Sequence, residues 1–375
     1  MADLARTPLH EWHAEHGGRM VDFCGWSMPV QYGSIVEEHQ ACRTAVGLFD
    51  ISHMARLLLS GPQAGELLEG VLTRRIADLA PNQVRYALVC NEFGGVLDDV
   101  LAYRVEIPQN ELLGYGLVVN AANRDTIVAH LQQHGEGKDA KVEDVTSDYG
   151  MIAVQGPKAI ELLDPVTDCE LTSMRYYTAS LTPFRFSDGE SVECYASRTG
   201  YTGEDGCELI VPADHALRVW ETLVELAAGV GGRPVGLAAR DTLRLEAGMP
   251  LYGHELSREI NPIQAGLAFA VNLKDRRFVG HDALTAARKD TSQPVRIGLT
   301  LEGRRPAREG CPVLRESQVV GHVTSGTFSP TFERPIAMAY VEPSAAAAGE
   351  ALAVDIRGKQ VPATVAPLPF YERGK

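Results

Sequence analysis

The sequence has little positive charge and no long apolar run, and both absences exclude classes of function. Its 375 residues contain 35 Lys and Arg against 49 Asp and Glu, so the formal net charge is −14. Nucleic acids and anionic lipid surfaces attract clustered basic residues, and we therefore expect neither as a partner. No run reaches the roughly 18 apolar residues that a transmembrane helix needs, so no membrane span is predicted.

Motifs of cofactor and metal chemistry are also missing. The sequence has no nucleotide-binding glycine loop, no zinc-type ligand cluster and no Gly-x-Ser-x-Gly elbow, which argues against a nicotinamide, a metal or a serine nucleophile. Its seven cysteines are odd in number and form no Cys-x-x-Cys pair, which is typical of reduced thiols. Because the N-terminal residues resemble neither a signal nor a transit peptide, we expect a cytoplasmic location.

Length and residue pattern indicate an α+β protein with more than one domain. A chain of 375 residues is longer than one hydrophobic core supports, and 36 glycines and 21 prolines favour many turns and strands. Between about residues 55 and 133 the pattern is typical of helices on one face of an antiparallel sheet. After about residue 292, short strand-like runs separated by Gly and Pro predict a small all-β barrel or sandwich.

Periodicity predicts the individual helices and strands. The predicted helices cover residues 7–16, 33–46, 63–72, 124–133, 213–228 and 234–248. The predicted strands cover residues 55–59, 85–91, 96–105, 116–120, 295–301, 318–324, 337–340, 352–356 and 360–365. Thr7 is the expected N-cap of the first helix. We interpret His10, His13 and His16 on that helix as surface residues, since a metal face would need a fourth ligand.

Two adjacent acids follow the predicted hairpin turn at residues 92–95. Side chains alternate along a strand, so Asp98 and Asp99 point to opposite faces, and one of them can face a pocket while the other faces water or a turn. A carboxyl group in a partly apolar pocket is a candidate acid or base. The alternative is a solvated hairpin flank without chemistry, which the residues alone favour.

Several other polar residues have both a functional and a structural interpretation. His53 is a candidate base or a hydrogen-bonded structural histidine. Arg240 and Arg244 share a helix face and either grip a carboxylate in bidentate fashion or form internal ion pairs with nearby acids. Asn120, which ends a predicted strand, satisfies either backbone or ligand groups.

The run Arg198-Thr-Gly-Tyr-Thr-Gly-Glu-Asp-Gly-Cys-Glu208 is the most distinctive in the sequence. Its three glycines permit tight turns or close approach to a ligand. Tyr201 offers a flat face, and the three acids, Glu204, Asp205 and Glu208, can accept hydrogen bonds from N–H donors. This composition suits a flat, nitrogen-rich ligand.

Together, six segments in order make the chain resemble a known family, the aminomethyltransferases or T-proteins of the glycine cleavage system. The matching segments are residues 18–33, 48–54, 94–99, 198–208, 236–253 and 323–330, and the resemblance extends from about residue 6 to 371. It implies an α+β, three-domain folate-binding fold with antiparallel sheets and a C-terminal all-β barrel. The expected core spans residues 1–290, with two interleaved subdomains bounded near 52 and 148, and the barrel spans residues 291–375.

The resemblance also implies the reaction. A member of this family takes the aminomethyl group from the lipoyl arm of H-protein and transfers its carbon to tetrahydrofolate. The products are 5,10-methylenetetrahydrofolate, ammonia and dihydrolipoyl H-protein. The expected partners are therefore lipoylated H-protein and tetrahydrofolate, and no metal, flavin or nicotinamide is needed.

The resemblance assigns roles to eight residues and compares a ninth, Phe269, with the family. Asp99 becomes the key carboxyl group beside the folate nitrogen N-10, and Glu208 becomes the acceptor for the pterin ring. Arg240 meets the folate, and Phe269 stands where many members carry Trp. The remaining expected cavity residues are Tyr86, Tyr103, Asn120, Tyr201 and Tyr371.

Two rival functions share this type of fold. One is a tetrahydrofolate-dependent demethylase of a small methylated compound, which needs no carrier protein. The other is a non-catalytic folate-binding protein of iron–sulfur assembly, whose Lys-Gly-Cys-x-x-Gly-Gln-Glu signature is replaced here by Asp-Arg-Arg-Phe-Val-Gly-His at residues 275–281. For H-protein docking, the basic spots at residues 274–277 and 304–308 are candidates, although such a spot is more often a solvated loop.

Overall fold

The computed structural model describes residues 4–107 and 112–374. Within them the α-helices are α1 (His10–Glu15), α2 (Ile35–Thr44), α3 (Ala64–Val71), α4 (Arg124–Gly135), α5 (Ala159–Leu163), α6 (Ala213–Gly229), α7 (Leu237–Glu246) and α8 (His281–Ala287). The first strands are β1 (Met20–Phe23), β2 (Trp26–Pro29), β3 (Gly47–Asp50), β4 (Ala55–Ser60), β5 (Val84–Cys90), β6 (Val96–Ile107), β7 (Leu112–Val119), β8 (Lys141–Asp144), β9 (Tyr149–Gln155) and β10 (Ala179–Arg185). The others are β11 (Ser191–Ser197), β12 (Gly206–Pro212), β13 (Arg233–Pro234), β14 (Val295–Leu301), β15 (Pro312–Arg315), β16 (Gln318–Ser329), β17 (Arg334–Val341), β18 (Ala351–Ile356) and β19 (Lys359–Ala366).

A five-stranded antiparallel sheet carries the two adjacent acids. Its strand order is β5-β6-β7-β4-β8, and α3 and α4 pack on one face through a common apolar core. Along β6, Val100 and Ala102 point into this helix-covered core, whereas Leu101 and Tyr103 point to the opposite face. The alternation of side chains therefore directs Asp98 to the helix side and Asp99 to the other side.

A six-stranded sheet carries the distinctive glycine-rich segment. Its order is β10-β11-β12-β9-β3-β13, in which only the β13–β3 pair is parallel. Cys207 and Leu209 of β12 pack into the core that α6 covers. Ile210 points to the other face, where side chains of both sheets form one shared apolar cluster. The two sheets thus face each other, and Glu208 and Asp99 both point into the space between them.

The C-terminal strands form a closed antiparallel barrel. Its order is β14-β17-β16-β15-β18-β19, with β19 returning to pair with β14. Val313, Val323 and Val354 belong to its apolar interior. Helix α7 packs against β16 and thereby joins the barrel to the rest of the protein. This arrangement decides between the barrel and the sandwich that the sequence left open.

The predicted α+β class with antiparallel sheets and a C-terminal barrel is confirmed. Several details differ. The first helix begins at His10, and the Thr7 hydroxyl donates to Asp50 at 2.7 Å while it accepts from the Leu9 N–H at 3.3 Å. The prediction missed the strands β1, β2, β3 and β15 and the helices α5 and α8. Of the helices that the structure describes, none combines the length and the apolar character needed to cross a membrane.

Candidate active site

A cavity of about 950 Å³ lies where the two sheets, α7 and the barrel meet. Each element contributes at least one polar side chain to its wall. These residues are Asp99 from β6, Glu208 from β12, Arg240 from α7 and Arg296 from β14. Six of the eight residues expected at a folate site line it, namely Tyr86, Asp99, Asn120, Tyr201, Glu208 and Arg240.

Asp99 projects into this cavity with two hydrogen-bond donors beside it. The Tyr86 hydroxyl donates to Oδ2 at 3.1 Å, and the Asn120 side-chain amide donates to Oδ1 at 2.9 Å. Burial raises the pKa of the Asp99 carboxyl group, and the two donors partly oppose that rise. The group is therefore suited to hold a proton nearer to neutral pH than an exposed aspartate does.

Of the two environments expected for the acid that does not face the pocket, water is excluded, and Asp98 faces the turn at residues 120–123. Asp98 is 0% exposed, and it accepts hydrogen bonds from the Asn120 backbone at 3.0 Å, the Asn120 side chain at 2.9 Å and the Asn123 side chain at 2.6 Å. Burial raises its pKa, and the neighbouring Asp99 raises it further. A solvated hairpin flank is excluded, because the tip of α4 and the segment before it cover this face of the strand.

The glycine-rich segment turns tightly against β9 and offers one acid to the cavity. A Cβ atom on Gly206 would lie 2.4 Å from the Val154 carbonyl oxygen, so this glycine serves strand packing and not ligand approach. Tyr201 lines the cavity and donates its hydroxyl proton to the Pro250 carbonyl at 2.5 Å. The segment therefore presents a fixed aromatic ring to a ligand.

The three acids of this segment have different environments. Glu204 forms an ion pair with Arg43 at 2.9 Å, and Asp205 forms one with Arg198 at 2.9 Å. Glu208 accepts a hydrogen bond from the Thr199 hydroxyl at 2.5 Å, and burial raises its pKa. Of the three, Glu208 is the acid that is free of an ion pair within the described residues.

The two arginines of α7 also separate into different roles. Arg244 is almost fully buried and forms ion pairs with Asp241 at 2.8 Å and with Glu255 at 2.9 Å. Arg240 lines the cavity with its guanidinium carbon 4.8 Å from the centre of the Tyr201 ring. Its Nη1 has no hydrogen-bond partner among the described residues. The internal ion-pair interpretation therefore holds for Arg244. Arg240, in contrast, has a donor nitrogen available for a ligand group.

Tyr103 and Tyr371 do not line the cavity. Tyr103 is 3% exposed and its hydroxyl accepts from Ser197 at 3.4 Å, behind the cavity wall. Tyr371 lies under the guanidinium of Arg43, 3.8 Å from its ring centre, and its N–H donates to Glu246. Both residues contact other residues near the cavity instead of the cavity itself. The sequence alone could not predict this placement.

Some residues that sequence reasoning passed over or left undecided do line the cavity. Tyr176, Tyr177 and Arg373 belong to its wall, as does Phe269, which stacks on Tyr86 at 6.2 Å. The dipeptide Tyr176-Tyr177 could have indicated this position in the sequence, since the flat faces of paired tyrosines suit the wall of a ligand-binding cavity. Phe269 is 63% exposed, so an aromatic surface does stand at this position.

Histidines complete the description of the site. His53 lines the cavity, is 3% exposed, and has an Nδ1 without a partner among the described residues. Burial lowers its pKa from 6.5 to about 4, so the ring is neutral. The expectation that the α1 histidines are surface residues is wrong for His13, which is fully buried between Asp50 and Tyr32. Among the described residues no group of three or more His, Cys, Asp or Glu could hold a metal.

Together, the fold and the cavity define an α+β class of protein with one cavity between two mainly antiparallel sheets and a barrel. Residues 9–275 match the family described as GCVT N-terminal domain, and residues 295–372 match the glycine cleavage T-protein C-terminal barrel domain. The chain belongs to the glycine cleavage T-protein family.

Relatives and a solved structure agree with this assignment over the full length. An aminomethyltransferase from Streptomyces coelicolor is 46% identical, with 100% of this chain and 99% of the relative covered. One from Desulfitobacterium hafniense is 42% identical, with full coverage of both. The crystal structure of glycine cleavage system aminomethyltransferase T from Bartonella henselae matches with a TM-score of 0.88 at 34% identity, covering 99% of each chain. Neither the demethylase nor the iron–sulfur alternative is favoured.

Proposed function

We propose that this chain carries out the aminomethyl transfer of the glycine cleavage system, with Asp99 as its catalytic carboxyl group. The donor is the aminomethyl group on the lipoyl arm of H-protein, and the acceptor is tetrahydrofolate. The products are 5,10-methylenetetrahydrofolate, ammonia and dihydrolipoyl H-protein. H-protein is the proposed protein partner, and the proposed location is cytoplasmic.

One observation carries the proposal: Asp99 and Glu208 project into one cavity from two facing sheets. A single flat ligand can therefore meet a hydrogen-bond acceptor at one end and a carboxyl group of raised pKa elsewhere along its length. The cavity volume of about 950 Å³ lies at the upper end of the range for small-molecule sites, about 300–1,000 Å³. Such a volume accommodates a folate together with a reacting arm.

The lining residues fit tetrahydrofolate by their chemistry. Glu208 has an oxygen available for the N–H groups of a pterin ring, and Tyr201, Tyr86 and Phe269 offer flat apolar surface. Arg240 adds donors toward a carbonyl or carboxylate of the ligand. In our proposal Asn120 positions Asp99 through a hydrogen bond. Tyr103 and Tyr371 stabilise the cavity wall without lining the cavity.

The proposed chemistry balances with proton transfers alone. The donor's carbon–nitrogen and carbon–sulfur bonds break, and the carbon forms bonds to two folate nitrogens, each of which loses one proton. One of these protons leaves with ammonia, and the other goes to the lipoyl sulfur to give the dihydrolipoyl thiol. A carboxyl group that both gives and takes a proton assists each step, and such help accelerates a reaction by about 10²- to 10⁴-fold. Enclosing donor and acceptor in one cavity contributes further through proximity.

We also propose that the chain divides into domains near residues 52, 148 and 290. The chain passes from the six-stranded sheet to the five-stranded sheet between β3 and β4, and it returns between β8 and β9. Residue 290 lies between α8 and the first barrel strand. These crossing points support two interleaved subdomains followed by a barrel.

The test is a coupled assay of ammonia release from aminomethylated H-protein in the presence of tetrahydrofolate. Asp99→Asn is expected to fold and bind tetrahydrofolate but to lose at least about 10²-fold in turnover. Asp164→Asn, which alters an acid outside the cavity wall, is the matched control. Turnover of Asp99→Asn close to that of the unaltered protein would remove Asp99 from its role. Efficient demethylation of a free methylated amine or sulfur compound would instead support the demethylase.

A further inference from the structure

Asp98 and Asp99 are joined through one side-chain amide. Nδ2 of Asn120 donates to Oδ1 of Asp98 and to Oδ1 of Asp99, at 2.9 Å in both cases. The Asn120 backbone and the Asn123 side chain supply two more donors, and both of these go to Asp98 alone. The carboxyl group hidden behind the strand is therefore held more firmly than the one that faces the cavity.

We propose that Asp98 is a positioning residue for Asp99: it fixes the shared Asn120 amide, and this amide holds the Asp99 carboxyl group. This inference rests on the proposed function of Asp99, since it assigns a purpose to the residue behind it. Asp98 is not part of the cavity wall and acts only through Asn120.

The comparison with another buried acid separates this role from an ordinary structural one. Asp50 is also buried and accepts from Thr7, His13 and Ser52, so a histidine that can carry positive charge lies against it. In the described part of the chain neither Asp98 nor Asp99 has a cationic partner. Burying two neighbouring acids without a cation costs free energy, and it perturbs the protonation of both acids.

The groups that face the pair are polar but mostly uncharged. Tyr86 from β5 and Tyr201 from the glycine-rich segment face Asp99, whereas Asn123 and Tyr252 face Asp98. None of them neutralises a second negative charge, so the pair binds and releases protons as a unit with two apparent pKa values. Burial raises the pKa of both groups, and the neighbouring Asp99 raises that of Asp98 further.

Two substitutions are expected to raise the pKa of Asp99. Asn120→Ala removes an amide that stabilises the ionised Asp99 carboxyl group at 2.9 Å, and Asp98→Ala removes the carboxyl group that fixes this amide. The Asp99-dependent limb of the pH–rate profile therefore moves up in both variants, whereas a purely structural loss would lower turnover without this shift. Asn123→Leu is the control, because it removes a donor to Asp98 alone and should leave the titration of Asp99 nearly unaltered.

The decisive measurement does not depend on turnover. A carboxyl-carbon NMR titration of the full-length protein follows both acids directly, with Asp98→Asn and Asp99→Asn providing the assignments. An upward shift of the Asp99 titration in Asp98→Ala and Asn120→Ala supports the proposal, and an unchanged titration of Asp99 in Asp98→Ala would overturn it. Because this result is read without substrate, it stays separate from a failure of the transfer assay. If Asp98→Ala does not fold, Asp98→Ser, whose shorter side chain also releases the amide, is measured in its place.

Discussion

The hydroxyl of Thr199 lies 2.5 Å from Oε2 of Glu208, and this bond uses only one of the two carboxylate oxygens. In the described part of the chain the other oxygen has no hydrogen-bond partner, although the residue is only 5% exposed. Because Glu208 belongs to the cavity wall, this oxygen can accept a hydrogen bond from a ligand donor. The pair thus marks the place where a ring N–H group is expected to bind.

Replacement of that acceptor is expected to weaken folate binding. In Glu208→Gln the amide keeps one oxygen for Thr199 but turns an NH₂ group toward the ligand's own donors. The loss of a hydrogen bond to a charged group, about 1.5–3 kcal/mol, raises the Kd for tetrahydrofolate by roughly tenfold to a hundredfold. Isothermal titration calorimetry measures this change in Kd. Glu204→Gln is the control, since Glu204 pairs with Arg43, and an equal loss of affinity there would contradict the assignment.

Arg43 is expected to be a main contributor to stability. Its side chain is 4% exposed and forms ion pairs with Glu204 at 2.9 Å and Glu246 at 2.8 Å, with the Tyr371 ring stacked on it. Arg43→Met leaves two buried carboxylates without this cation, which lowers the free energy of unfolding by about 3–5 kcal/mol. Chemical denaturation followed by circular dichroism gives the value.

The control for Arg43 is an arginine with two exposed ion pairs. Arg218 contacts Asp188 and Glu190 at the surface, where solvent screens the attraction. Arg218→Met is expected to leave the denaturation midpoint nearly unchanged. Equal losses in the two variants would mean that burial does not determine the contribution of these ion pairs.

The pH dependence of stability should report on His53. Because burial lowers its pKa from 6.5 to about 4, the unfolded chain binds a proton between these values that the folded protein does not. Stability therefore falls as pH drops through this window, by an amount on the order of 3 kcal/mol. His130, whose pKa burial also lowers to about 4, adds to the trend.

Substitution separates the two contributions. His53→Gln is expected to flatten the fall in thermal midpoint between pH 6.5 and 4 without abolishing it. His215→Gln, which changes an exposed residue of α6, serves as the control and should leave the slope unaltered. An unchanged slope in His53→Gln would show that its ring is charged or solvated in the folded protein.

The hairpin that carries Asp98 and Asp99 depends on close backbone contact at Gly95. A Cβ atom there would lie 1.8 Å from the Arg258 carbonyl oxygen, so Gly95→Ala must displace one of the two segments. We expect a loss of about 1–3 kcal/mol in stability and reduced turnover, because β6 shifts with the hairpin. Gly70→Ala is the control: it lies in α3 with open space around it, and it should stabilise by about 0.5–1 kcal/mol. Differential scanning calorimetry of both variants gives the comparison.

Local sequence patterns predicted most of the secondary structure. The helix expected at residues 63–72 is α3, and the hairpin expected around residues 92–95 joins β5 to β6. These elements follow from apolar spacing and turn residues, which act over a few positions. The start of α1 was misplaced, since the helix begins at His10. Thr7 also bonds to Asp50, 43 residues away, and no local rule can anticipate that partner.

The candidate site was predictable in part, because its motif segments are short and local in the sequence. The motif segments pointed to Asp99, Glu208 and Arg240, and all three line the cavity. The burial of Asp98 could not be foreseen, since Asn120 and Asn123 cover it from beyond the next strand. Whether an acid is solvated depends on what packs over it, and distant residues decide that.

By itself, the sequence determined the helices and strands, the alternation that sends Asp98 and Asp99 to opposite faces, and the motif order by which the family is recognised. Only the tertiary structure decided which charges are paired. Arg43 meets Glu246 across 203 positions of the chain, and Arg244 meets Glu255, while Arg240 is left to the cavity. The physical reason is that propensity and turns act locally, whereas desolvation and ion pairing depend on which distant side chains the fold brings together.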